Sequence, residues 1–196
     1  MRPHYFRWFR ESSGRKRHPG YLISSLHIHN DLTVYTLESA LPASITPCKL
    51  LPANYDSYLS YLDQGRPPVM MLDQEEKALV TALRDLGEFT SYTRPRLPPH
   101  RLRFHEYAIY GDSSNPAFLI LKDPVTHAET LVLLSTATEP NSGGGTFLTP
   151  QISMLNAMIV EADAQATAEQ GIPATGLQVQ TVDLSNFNHY TPPNPP

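Results

Sequence analysis

The sequence predicts an α+β fold, a mainly antiparallel sheet with helices packed on one face. Three observations predict it. Two short apolar runs, Phe118–Leu121 and Leu131–Leu134, flank Lys122-Asp123-Pro124-Val125-Thr126-His127. Both runs are too short for helices, and Asp followed by Pro is type I turn chemistry, so they form a hairpin. Upstream, the aromatic-rich segment 102–110 ends at Gly111-Asp112-Ser113-Ser114-Asn115-Pro116, a second turn signal that extends the hairpin to a meander over about 101–135. Downstream, a helical stripe follows Thr149-Pro150, as a cap and a first-turn proline require. Runs as apolar as Phe-Leu-Ile-Leu and Leu-Val-Leu-Leu imply burial on both faces.

In chain order, residues 1–20 form a basic arm. They carry Arg2, Arg7, Arg10, Arg15, Lys16 and Arg17 against Glu11 alone, a charge of +5, interleaved with Tyr5, Phe6, Trp8 and Phe9. Arg and aromatic side chains together are what interface anchors use. Residues 21–38 read as a β-hairpin turning at Asn30-Asp31, with His27 opposite Val34 and His29 opposite Leu32. Residues 40–52 are proline-punctuated and irregular, and 54–64 suit a short helix stopped by Gly65. Asp73 and Glu76 have capping-box spacing, and the stripe Leu79, Ala82, Leu83, Leu86 predicts a helix over about 74–86. A basic, proline-rich connector (90–100) leads into the meander. Residues 141–145 (Asn-Ser-Gly-Gly-Gly) read as a flexible loop, and the second helix spans about 150–170, its stripe being Ile152, Leu155, Ile159, Ala162 and Ala166. Gly171-Ile172-Pro173 closes it. The alternating Leu177–Leu184 predicts a strand, and 191–196 is a proline-rich tail. The expected organisation is one α+β domain over 21–190, with an arm and a tail.

Composition narrows the function classes. With 196 residues, one domain is expected, and a core of that size needs no staple. Cys48 is the only cysteine, so no internal disulfide and no cysteine zinc cluster can form. A lone cysteine is expected to be a small buried residue. No stretch approaches the ~20 apolar residues of a membrane span. The N-terminus lacks the apolar core of a secretory signal, although it is Arg-rich and acid-poor as transit peptides are. A cytoplasmic protein is the expectation. The net charge is −4, so the chain beyond the arm carries −9. After Lys122 there is no Lys or Arg, while seven acids follow. A basic arm on an acidic body suits an acidic protein partner, a neighbouring copy of the chain, or nucleic acid.

Chemical motifs are sparse. His27 and His29 share a face of their expected strand, and Asp31 at the turn adds a carboxylate, a possible divalent-metal set. The segment Pro19-Gly20-Tyr21-Leu22-Ile23-Ser24-Ser25-Leu26-His27-Ile28-His29 resembles the first-strand signature of amidohydrolase and PHP-type metal hydrolases. That resemblance covers about a dozen residues and implies a barrel hydrolase with His27 and His29 as metal ligands. Gly143-Gly144-Gly145 ahead of a helix suggests an anion cradle, but Thr146-Phe147 follows where a P-loop requires Lys-Ser/Thr. Glu75-Glu76-Lys77 opens the expected helix, where its acids suit the dipole better than catalysis. No Gly-x-Ser-x-Gly elbow occurs.

Arg94, Arg96, Arg101 and Arg103 form a second basic cluster, which with the arm could follow a phosphate backbone. A sequence pI near 6.0 argues against a dedicated nucleic-acid domain. The expectation is therefore a non-catalytic interaction or assembly protein, without a cofactor. It docks on a protein partner or in a homo-oligomer through Arg2, Arg7, Trp8, Arg10, Arg15, Lys16 and Arg17. Nucleic-acid binding through the arm and the Arg94–Arg103 cluster is the first alternative. A small metal hydrolase built on His27, His29 and Asp31 is the second.

Overall fold

The computed structural model describes residues 14–17, 32–37, 41–59, 67–72, 78–86, 89–93, 114–139 and 144–187. Eight strands and one long helix occur among them. The strands are β1 (Gly14–Arg17), β2 (Thr33–Thr36), β3 (Pro68–Leu72), β4 (Ala78–Leu86), β5 (Phe89–Thr93), β6 (Pro116–Lys122), β7 (Glu129–Glu139) and β8 (Gly144–Phe147). The helix α1 spans Ile152–Gln170.

Strands β3 to β8 close into a barrel in the order β3-β4-β5-β8-β7-β6, and every pairing is antiparallel. The expected hairpin is its centre. β6 and β7 pair from Lys122↔Glu129 to Pro116↔Thr136. The turn forms because the Asp123 carboxylate accepts the backbone N–H groups of Val125 and Thr126 at 2.8 and 2.7 Å. The first meander strand, 102–110, lies outside the described residues.

Alternation fills the interior. Val69, Leu119, Leu121, Val132, Leu134 and Phe147 are buried in one cluster with Leu83, Leu51 and Leu59. Leu133, one residue out of phase, faces the other way and packs with Leu32, Leu50, Leu148, Ile152 and Leu155 under the helix. The second face is thus covered in part: Phe118 is buried and Leu133 half-buried, whereas Leu131 stays 45% exposed, so the expected burial on both faces holds only in part. Gly145 sits where β7 bulges between Ala137 and Glu139, and a Cβ there would land on the Thr136 carbonyl.

Four expectations need correction. Residues 78–86 are strand, not helix. β4 bulges between Leu83 and Asp85, and this lets Leu83 and Leu86 both be buried despite their spacing of three. The bulge reproduces in a strand the spacing that reads as helical. The capping-box residues 73–77 lie outside the described residues. Residues 144–145 are strand rather than loop. Residues 177–184 form no strand; only a parallel bridge from Thr181 to Leu50 is present. Residues 90–93, read as part of the basic connector, belong to β5. In the N-terminal ribbon Val34 pairs with Lys16 and Thr33 with Arg17, and the expected hairpin partner of β2, around His27 and His29, lies outside the described residues.

Two local readings also change. The expected short helix at 54–64 shows a single 3-10 turn, Tyr55–Ser57, and Tyr55 packs edge-on to Phe147 at 5.8 Å. The second helix is present, but Thr149 does not cap it. Thr149–Gln151 is a 3-10 turn, and the buried Thr149 hydroxyl donates to the Leu51 carbonyl at 3.2 Å. Gly171 ends the helix in the left-handed conformation (φ +66°), as expected, and its N–H reaches the Thr167 carbonyl.

Candidate functional site

The sequence-predicted site residues divide sharply. Arg15, Lys16 and Arg17 lie on β1, which pairs with β2, and both strands pack against α1. Arg2, Arg7, Trp8, Arg10, Arg94, Arg96, Arg101 and Arg103 lie outside the described residues, as do His27, His29 and Asp31. Among the described residues, no three of His, Cys, Asp and Glu stand close enough to hold a metal ion. Cys48 is exposed rather than buried. The candidate anion cradle at 143–145 finds no support at 144–145, which belong to the ladder strand β8 rather than to a loop.

Two surfaces remain. The first runs from β2 onward: Tyr35, Leu37, Leu41 and Ile45 are each about half exposed, between 48 and 52%. The signal in the sequence was weak, because the spacing changes from two (35, 37) to four (37, 41, 45) and so keeps no single period. β2 accounts for the first, since its Val34 is half-buried while Tyr35 beside it is exposed.

The second surface is a seat built by α1, the segment around Leu50 and the β6–β7 turn. After Gly171 the chain runs back along α1. The Asp163 carboxylate accepts from the backbone N–H groups of Thr175 and Gly176 at 2.9 and 3.1 Å, and from the Thr175 hydroxyl. Asn156, seven positions earlier and hence on the same helix face, accepts the N–H of Val179 at 2.8 Å. Leu50 then takes over: its N–H donates to the Gln180 carbonyl, and its carbonyl accepts from Val182, both at 2.9 Å. A 3-10 turn follows, Ser185–Phe187, with Leu184 and Phe187 buried in the barrel cluster. There the Asn186 amide donates to Asp123 at 2.8 Å.

The electrostatics of this seat follow from those bonds. Asp123 is lowered to about 2, first by the Thr126 N–H and then by the Asn186 amide. Asp183 is also lowered, chiefly by the Ser185 N–H. Both carboxylates stay ionised as hydrogen-bond acceptors rather than serving as proton donors. No helix among the described residues is long and apolar enough to cross a membrane.

The chain matches no protein-family model, and no curated protein matches it significantly.

Proposed function

We propose that the protein is a non-catalytic assembly module that docks on a second copy of itself through its N-terminal arm and the adjoining apolar stretch 35–45. The observation that supports this reading is that Tyr35, Leu37, Leu41 and Ile45, four apolar residues within eleven positions, are each half exposed, the first of them on the strand paired with the one that carries Arg15, Lys16 and Arg17. Fully burying such a side chain contributes roughly 1.5–3 kcal/mol, so covering four half-exposed ones is worth several kcal/mol. Charge selects the partner. The first twenty residues carry +5, while the chain after Lys122 has seven acids and no base. Opposite ends of two copies therefore attract, and the attraction weakens with salt.

Light scattering of the full chain across concentration, at low and high salt, tests the proposal. The expected result is an oligomer at low salt that dissociates in high salt, and that Leu37→Ser/Leu41→Ser/Ile45→Ser shifts toward monomer. A strict monomer at every concentration overturns it. The nucleic-acid alternative draws on the same basic strand. It is favoured if random-sequence RNA or DNA binds with a steep salt slope that deleting residues 2–17 abolishes.

A further inference from the structure

The outer side of α1 is apolar where a solvated helix face is usually polar. Met158, Ala162 and Ala166 are its buried face, and Val160 lies roughly 200° round the helix from Met158. Val160 is 61% exposed. Asn156 and Asp163, four positions before it and three after, share its flank. They hold the returning chain, Asp163 at Thr175 and Gly176, Asn156 at Val179. Leu177 lies between those two anchors, level with Val160, and is 63% exposed.

Charge gives this apolar pair a partner. α1 carries Glu161, Asp163 and Glu169 and no base, and no Lys or Arg follows Lys122 anywhere in the chain. Exposed apolar side chains in an acidic, base-free field suit a segment that is basic and aromatic at once. Ahead of β1, residues 2–10 are such a segment: Arg2, Arg7 and Arg10 alternate with Tyr5, Phe6, Trp8 and Phe9, and no acid lies among them. We propose that the outer face of α1 around Val160 and Leu177 is the surface that receives residues 2–10 of a second copy. The aromatic side chains cover the apolar pair, and the arginines lie in the acidic field. This inference rests on the assembly reading and names the surface on which the arm lands.

The test places a photo-crosslinking side chain on the full chain (Val160→benzoylphenylalanine) and mixes it with isotope-labelled wild-type chain at low salt. Cross-links from position 160 to residues 2–10 of the labelled copy are expected. Val160→Lys with Leu177→Lys changes two exposed positions and leaves the fold intact. It is expected to weaken self-association about tenfold or more in light scattering, by setting like charges against the arm. Adding Arg7→Glu and Arg10→Glu to that variant is expected to restore association. The proposal is overturned, with the assembly reading intact, if the full chain associates but the two lysines leave its mass unchanged. It is equally overturned if position 160 cross-links to residues 2–10 of its own chain, to another segment, or to nothing. A strict monomer at every concentration overturns the assembly reading and this proposal together.

Discussion

The barrel interior and the layer outside it are held together differently. Inside, buried residues form one cluster, and Leu51, Val69, Leu119, Val132 and Leu134 are wholly inaccessible. Outside, among the described residues, Leu32, Leu50 and Leu148 are buried in the cluster beneath the helix. The stretch 172–182 beyond is tied mainly by hydrogen bonds to Asp163, Asn156 and Leu50, before Leu184 and Phe187 rejoin the barrel cluster. Packing is cooperative and dense, whereas isolated hydrogen bonds contribute about 1 kcal/mol each and fail one at a time. A scaffold of the first kind can carry a periphery of the second kind that opens without unfolding it.

Substitutions grade this contrast. The largest effect is expected inside: Leu119→Ala or Leu134→Ala should cost about 2–5 kcal/mol in urea unfolding, because the closed barrel cannot collapse onto the cavity. Gly145→Ala, which drives a methyl group onto the Thr136 carbonyl, should cost about 1–3 kcal/mol and separate β7 from β8. In the periphery, Asn156→Ala leaves the Val179 N–H without its acceptor and should cost only about 1 kcal/mol. Acid should act through Asp123, which holds the β6–β7 turn and also anchors Asn186. The folded-state value of Asp123 lies below its ordinary 3.8, so its contribution is complete above about pH 4 and is lost as pH falls toward about 2. Asp123→Asn should remove that part of the acid sensitivity in a pH series of unfolding curves. The smallest effect on stability, within about 0.5 kcal/mol, is expected for Leu41→Ser, which changes association instead.

One hairpin of the barrel and the long helix were legible in the sequence, and the reasons are local. The β6–β7 hairpin announces itself through Asp123-Pro124 and two apolar runs, and α1 through its stripe and Gly171. β4 was illegible because its bulge puts Leu83 and Leu86 on one side at helical spacing. Closure itself leaves no periodic signal, since it depends on β5 meeting β8 across about fifty residues of chain. The segment 177–184 alternates like a strand, yet its partners are side chains of a helix and one residue, Leu50. Of the candidate sites, Arg15, Lys16 and Arg17 were visible as charge, though not as a strand. The apolar stretch 35–45 and the seat of the C-terminal segment were not, because each depends on which neighbours cover it.

Native-state hydrogen exchange measured residue by residue tests the central claim, that a separable periphery rides on a cooperative barrel, most directly. The account predicts that the amides of Gly176, Val179 and Val182 exchange through a local opening, well below the global free energy reported by Leu119 and Leu133. Equal protection at all five amides would contradict it, by making the C-terminal segment part of the barrel's own cooperative unit.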